Sequence, residues 1–214
     1  MHDRARDLAL QSRGDVLDGS LDGAALLQRL RSVPVSDRDA WLDVLLALPA
    51  IPDDAARLPA GCVPYLPCPV DVVVAALQGA QVQREDVFVD LGAGLGRVVL
   101  LARLLCGARA FGVELQPGLV AQAQRTAAGL GLRDVHFVCG DAASADLDEG
   151  TVFFVYASFG LAALRRVLGR LQPIAAQRPI RLCAVDFDVP TAEFPWLRPR
   201  ASARCELMLY DSLV

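Results

Sequence analysis

The sequence contains no lysine, because all 21 of its basic residues are arginine. It also has no run of basic residues, its formal net charge is -4 and its calculated pI is about 5.2. Nucleic-acid-binding domains usually carry a basic patch that neutralises phosphates. The composition therefore argues against a nucleic-acid-binding surface.

Long apolar stretches are also missing, although 54% of the residues are hydrophobic. No apolar run reaches the ~18 residues that a membrane-spanning helix needs. The first seven residues are mostly polar or charged, unlike a secretory signal peptide. From these two features we expect a cytoplasmic protein without a membrane span.

The six cysteines include no C-x-x-C pair, the usual sign of a zinc or redox site. Cys62 and Cys68 flank a proline-rich stretch, and neither His2 nor His136 has a ligand-like neighbour. Cysteines inside apolar segments behave as small hydrophobic residues. The sequence therefore predicts free thiols and no metal site.

The most informative stretch is residues 87–97, VFVDLGAGLGR, in which apolar residues lead into three glycines and then an apolar helix pattern. A strand buried on both faces is rich in such apolar residues. Glycines let the backbone approach a ligand, and the N-terminus of the following helix points at that ligand. The stretch predicts a binding turn, with a plain glycine-rich connection as the alternative.

The glycine spacing indicates which ligand fits the turn. A dinucleotide-binding turn reads G-x-G-x-x-G, whereas here the third glycine, Gly96, comes one residue early and Arg97 holds the last position. This spacing disfavours NAD(P). The carboxylates that follow the next two predicted strands fit an adenosine without pyrophosphate.

These carboxylates are Glu114, which ends the second predicted strand, and Asp141, which follows the third. Glu114 lies 22 positions beyond Gly92, where a carboxylate can accept hydrogen bonds from both ribose hydroxyls. Asp141 is placed to accept a hydrogen bond from the adenine amino group. Each acid alone could also be an ordinary loop residue or helix cap.

Strand and helix patterns alternate after residue 87, which predicts an α/β fold with a doubly wound parallel sheet. Residues 1–48 read as two or three short helices, with Ser36, Asp37 and Asp39 as N-terminal caps of the last one. Six prolines follow between residues 49 and 69. We assign residues 1–60 to a helical extension with a proline-rich linker, and residues 61–214 to the ligand-binding domain.

From residue 62 to residue 210 the chain resembles class I S-adenosylmethionine (SAM) methyltransferases. The resemblance rests on DLGAGLGRVVLLA (residues 90–102), GVEL.P.LV..A (112–123) and GDA (140–142). It implies a Rossmann-like sheet of seven strands closed by a C-terminal antiparallel hairpin, SAM as cofactor, and Asp90 with Gly92, Gly94 and Gly96 around the methionine half of SAM.

The proline-rich lead-in PYLPCPVDVV (64–73) is similar to one that precedes the glycine motif in two branches. These are the non-SET histone lysine methyltransferases and the small lysine methyltransferases of mitochondrial membrane proteins. The resemblance implies that Tyr65 folds over the cofactor, whereas a rigid linker is the alternative. A protein lysine amine is then a candidate acceptor, and the chain, lacking lysine, cannot methylate lysines of its own.

After the fourth strand, where the histone family has paired asparagines, this chain has Tyr156, Ala157, Ser158 and Phe159. We predict that Tyr156, Ser158 and Phe159 form the acceptor pocket, because aromatic walls and a hydroxyl suit an amine. They could instead be core residues at a helix start. Two functions stay open beside methyl transfer to a protein or small molecule: a catalytically degenerate SAM-binding protein and an NAD(P)-dependent oxidoreductase.

Overall fold

The computed structural model describes residues 1–50, 64–156, 160–187 and 189–213. Within them, seven strands form one mixed sheet: β1 (Val87–Leu91), β2 (Arg109–Glu114), β3 (Val135–Cys139), β4 (Val152–Tyr156), β5 (Arg181–Val185), β6 (Leu197–Arg200) and β7 (Leu207–Ser212). The strand order is β3-β2-β1-β4-β5-β7-β6. Strands β1 to β5 are parallel, and β7 and β6 continue the sheet antiparallel. The predicted α/β fold and terminal hairpin are confirmed.

The helices flank this sheet: α1 (Asp3–Leu17), α2 (Gly23–Ser32), α3 (Arg38–Leu46), α4 (Val70–Gly79), α5 (Arg97–Cys106), α6 (Pro117–Gly129) and α7 (Leu161–Ala175). Helices α4 to α7 connect or precede the parallel strands, as a doubly wound sheet requires. Both faces of the central strand β1 are therefore covered, and all five of its residues are buried.

The N-terminal helices pack into the same core as the sheet. Trp41, Leu42, Leu45 and Leu46 of α3 are fully buried and belong to one apolar cluster with Phe88 of β1. Fully burying a large apolar side chain contributes about 1.5–3 kcal/mol. The apolar stripe of α3 is thus a core contact, as the sequence predicts, while the domain boundary near residue 60 remains a sequence-based assignment.

Two local expectations are wrong. Asp37 stands before α3 but does not cap it, because its backbone is in the αR region rather than the extended region that an N-cap needs. Its carboxylate instead accepts a hydrogen bond from the His2 backbone at 3.1 Å. The apolar pattern after Gly160 predicts a helix over residues 161–171, but helix α7 continues through Pro173, and the added turn buries Ile174 and Ala175.

Within the described ranges, none of the helices has both the length and the apolar character needed to cross a membrane. The cysteines of those ranges are free thiols, and Cys68 and Cys183 are buried. Cys62 lies outside the described residues. No group of three or more histidine, cysteine, aspartate or glutamate side chains that could hold a metal ion occurs in the described part of the chain.

Candidate active site

The candidate site lies where the winding of the sheet reverses. Strand β1 pairs with β2 on one side and with β4 on the other, and their carboxyl ends meet at one edge. In open α/β sheets, ligands bind outside the carboxyl ends of the strands at this switch point. The glycine turn begins there, directly after Leu91.

The turn requires glycine for two reasons. Gly92, Gly94 and Gly96 have φ angles of 101°, 54° and 80°, a region that other residues rarely adopt. A Cβ atom on Gly94 would also lie 2.2 Å from Cε2 of Tyr65. The ring of Tyr65 therefore lies directly against the turn, and the structure brings this residue of the lead-in to the predicted cofactor site.

Glu114 joins the turn to the end of β2. Its Oε2 accepts a hydrogen bond from the Gly94 backbone at 2.9 Å, and its Oε1 accepts one from the Gln116 backbone at 2.9 Å. Glu114 as a whole is only 9% exposed. Each carboxylate oxygen can accept a further hydrogen bond. Glu114 can therefore hold the turn and also accept hydrogen bonds from the hydroxyl groups of a ligand.

Asp90 lies beneath the turn and is 2% exposed. Burial raises the pKa of Asp90 well above its usual value, and the negative charge of Glu114 raises it further. A positively charged ligand above the turn would oppose both effects. Asp90 is therefore suited to a cation bound at the turn.

Asp141 follows β3 on the same edge, but it is exposed. Its Oδ1 accepts a hydrogen bond from the Ala143 backbone at 2.9 Å, and Nη2 of Arg166 lies 3.4 Å from its Oδ2. The backbone of Gly140 donates to the Glu114 carbonyl at 2.9 Å, which keeps the ends of β3 and β2 together. The structure thus gathers Asp90, Glu114 and Asp141 along one edge.

Tyr156 ends β4 and is partly buried at this edge, whereas Ser158 and Phe159 lie outside the described residues. Tyr156 pairs with Val185 of β5, and the next residue is Asp186. Asp186 is exposed and has a φ of 57°. Its backbone donates to the Glu206 carbonyl at 2.9 Å, which holds it in this unusual conformation.

Comparisons with known proteins agree with this geometry. A family described as a methyltransferase domain matches residues 88–188. The crystal structure of an RNA methyltransferase from Salinibacter ruber in complex with S-adenosyl-L-homocysteine is 34% identical, with a TM-score of 0.55, and the match covers 69% of this chain and 92% of that one. The chain belongs to the class I SAM-dependent methyltransferases.

Two more distant structures show the same fold. A precorrin-6y C5,15-methyltransferase from Geobacter metallireducens is 18% identical, with a TM-score of 0.51 and 71% and 93% of the two chains covered. A SAM-dependent methyltransferase from Aquifex aeolicus is 15% identical, with a TM-score of 0.51 and 65% and 88% covered. A search of curated proteins finds no significant match.

The residues of this methyltransferase fit its cofactor, SAM. Gly92 is exposed at the start of the glycine turn, and the carboxylates of Asp90, Glu114 and Asp141 lie at the carboxyl ends of β1, β2 and β3. Bound SAM supplies a methyl group on a positively charged sulfur. Carboxylate oxygens suit both the ribose hydroxyls of SAM and its positive charges. This fit also disfavours the oxidoreductase alternative.

An ion-pair cluster beside the turn was not predicted from the sequence. Arg97, the first residue of α5, is only 3% exposed, and its Nη1 donates to Oδ1 of Asp43 at 2.6 Å. Its Nη2 donates to Asp39, the other acidic residue on α3. The four-residue spacing of Asp39 and Asp43 places both on one helix face. That spacing was the available signal, but nothing local connects it with Arg97.

Proposed function

We propose that this methyltransferase methylates an amine on a protein, with a lysine side chain as the acceptor. The carrying observation is the position of Asp186 directly after Val185, the β5 partner of Tyr156, so that its charge acts on the Tyr156 phenol. An exposed carboxylate next to an aromatic ring attracts an alkylammonium group by charge and by cation–π contact. The net charge of -4 adds to this attraction for a basic protein segment.

The character of Tyr156 fits this role. Burial raises the pKa of Tyr156, and Cys68 and Asp186 raise it further. The phenol therefore stays neutral at physiological pH and offers a ring face and a hydroxyl rather than a second negative charge. In the proposal, Tyr156, Ser158 and Phe159 form the walls of the acceptor pocket, and Asp186 draws the acceptor into it.

The chain's residues need only orient the acceptor, since positioning supplies much of the rate of such a transfer. The ammonium loses a proton to water and becomes a neutral amine. Bound SAM would supply the methyl group: the amine nitrogen would bond to the methyl carbon as the carbon–sulfur bond breaks and its electron pair goes to sulfur. This transfer would leave S-adenosylhomocysteine and an N-methylated lysine ammonium.

RNA is the second candidate acceptor, because the relative from Salinibacter ruber is named as an RNA methyltransferase. The exposed carboxylate of Asp186 and the negative net charge would repel phosphates. The lysine proposal is also supported by the resemblance of residues 64–73 to the lead-in of lysine methyltransferases. We therefore place the amine first.

The test uses purified enzyme, SAM tritiated on its methyl group, and cell lysate divided into two portions. One portion is treated beforehand with ribonuclease and the other with protease, and each treatment is stopped before enzyme is added. The proposal expects label in the ribonuclease-treated portion and its loss in the protease-treated one. The reverse pattern would favour RNA. Lysine automethylation cannot confuse the result, because the enzyme contains no lysine.

A further inference from the structure

Arg97 connects the glycine turn with the N-terminal helices. It follows Gly96 directly, and its two terminal nitrogens contact Asp43 and Asp39 of α3. The guanidinium is nearly inaccessible, with a side chain 4% exposed, whereas the carboxylates are 43% and 51% exposed. Helix α3 is therefore joined by charge to the residue that ends the cofactor-binding turn.

The carboxylates of Asp39 and Asp43 differ in their other hydrogen-bond partners. Oδ1 of Asp39 also accepts a hydrogen bond from the Val70 backbone at 2.8 Å, which ties Asp39 to the start of α4. Among the residues that the structure describes, Asp43 has only Arg97 as a side-chain partner, and that bond uses Oδ1. The second carboxylate oxygen of Asp43 is thus available to a donor.

Arg97 has an unused donor beside this open acceptor. Its Nε is buried and has no hydrogen-bond partner within the described part of the chain. A buried N–H of a charged group without an acceptor is costly, so such groups are nearly always paired. An open carboxylate next to an unpaired guanidinium N–H is complementary to a zwitterion that carries an ammonium and a carboxylate.

The position of this pair matches the amino-acid end of SAM. Glu114 and Asp141 lie at the ends of β2 and β3, which suits the adenosine half, so the methionine half would extend from the turn toward β1 and β4. Arg97 and Asp43 are also among the charged groups that act on Tyr65, whose ring lies against Gly94. Asp90 is buried, whereas the side chain of Asp43 is half-exposed.

We propose that Asp43 binds the α-ammonium of SAM and that Nε of Arg97 binds its α-carboxylate. The N-terminal helices then complete the cofactor site rather than only covering the core. Asp39 acts as a positioning residue, because it holds Arg97 against α3 and α4. This inference depends on the cofactor and not on the acceptor, so its failure would leave the amine proposal intact.

The experiment measures binding by calorimetry, without an acceptor. The ligands are S-adenosylhomocysteine, an analogue without its α-amino group and an analogue without its α-carboxylate. The variants are Asp43→Asn, and Arg97→Lys, which keeps the charge but removes the Nε donor. Asp71→Asn is the matched control, because it weakens another ion pair of α3, with Arg38 at 2.8 Å.

For the wild type we expect each analogue to bind roughly ten- to a hundredfold more weakly than S-adenosylhomocysteine, as for a lost hydrogen bond to a charged group. Asp43→Asn should bind S-adenosylhomocysteine and the analogue without the α-amino group with equal affinity. Arg97→Lys should bind S-adenosylhomocysteine and the analogue without the α-carboxylate with equal affinity. Asp71→Asn should preserve both differences.

A variant that weakens the binding of all three ligands equally would show that the ion pairs of Arg97 only hold α3 in place, and this result would overturn the proposal. Unchanged binding in Asp43→Asn and Arg97→Lys would also overturn it. Thermal denaturation checks folding. If Asp43→Asn does not fold, Asp43→Glu replaces it, since it keeps the charge but displaces the carboxylate by one methylene, and it must selectively reduce the difference caused by the amino group.

Discussion

At the residue scale, Glu114 has two roles, and substituting Glu114 and Asp141 one at a time shows how much each contributes to SAM binding. Glu114 accepts a hydrogen bond from the Gly94 backbone, and we propose that it also accepts hydrogen bonds from the ribose hydroxyls of SAM. Glu114→Ala should weaken SAM binding by about 2–3 kcal/mol, the range for hydrogen bonds to a charged group. Asp141→Ala should cost less, since Asp141 is exposed and the backbone can still hold adenine.

Calorimetric titration with SAM checks both variants, with Glu149→Ala as the control because Glu149 is exposed and away from the turn. Wild-type affinity in folded Glu114→Ala and Asp141→Ala would show that this edge does not bind the adenosine half.

The buried carboxyl group of Asp90 predicts a pH dependence. Because burial and the charge of Glu114 raise the pKa of Asp90, the free protein keeps this group protonated at pH values where an unfolded chain would ionise it. Stability of the free protein should therefore fall as pH rises from the unfolded pKa to the folded one. Positively charged SAM favours the ionised form, so its binding should release a proton.

SAM affinity should then rise with pH, by up to about tenfold per unit below the folded pKa of Asp90. Calorimetry in buffers of different ionisation heats measures the released proton, and Asp90→Asn should remove this part of the dependence. A wild-type affinity independent of pH, with no proton released, would contradict the account.

Tyr156 tests the acceptor side. If it lines the acceptor pocket, Tyr156→Ala should lower kcat and kcat/KM together while SAM affinity stays close to that of the wild type. A purely structural aromatic residue would instead show a stability loss of about 3–5 kcal/mol, the scale for a large-to-small change in a core. Melting temperature, SAM affinity and turnover of the same variant distinguish the two roles. Unchanged turnover per folded molecule would place Tyr156 outside the pocket.

At the element scale, the turn between β1 and α5 depends on glycine backbone conformation. Gly94→Ala places a Cβ against Tyr65 and forces a non-glycine residue to a φ of 54°. The backbone term alone costs roughly 1–2 kcal/mol. We expect SAM affinity to fall more than tenfold and the melting temperature to decrease.

The double variant Gly94→Ala/Tyr65→Ala removes the clash but not the backbone strain. It should therefore recover only part of the decrease in melting temperature caused by Gly94→Ala. Gly118→Ala in α6 is the control, because nothing lies within 4 Å of its added Cβ. Equal behaviour of Gly94→Ala and Gly118→Ala would contradict the role assigned to the turn.

Elements with strong local patterns were predictable from the sequence. The apolar run before the glycines predicts β1, and proline at the first position predicts the start of α6 at Pro117. The failure of Asp37 to cap α3 was not predictable, since its carboxylate accepts a hydrogen bond from His2, which is 35 positions away. The end of α7 was missed because burial of Ile174 outweighs the local preference of Pro173.

At the scale of the whole molecule, the chain order of the strands predicts which acids share an edge, because parallel strands present their carboxyl ends together. Glu114 and Asp141 follow from this rule. The pairing of Arg97 with Asp43 does not, since it spans 54 positions and depends on how α3 packs against α5. The position of Asp186 beside Tyr156 likewise follows from the pairing of β4 with β5, which no local pattern reveals.

The most direct measurement is the chemical identity of the methylated product. Protein from lysate labelled with tritiated SAM is hydrolysed in acid, and the amino acids are separated by chromatography. The account predicts label that co-migrates with N-methylated lysine and that depends on Asp186, so that Asp186→Asn lowers it while Asp7→Asn on the exposed face of α1 does not. Label recovered in methylated nucleosides, or no label above an enzyme-free control, would contradict it.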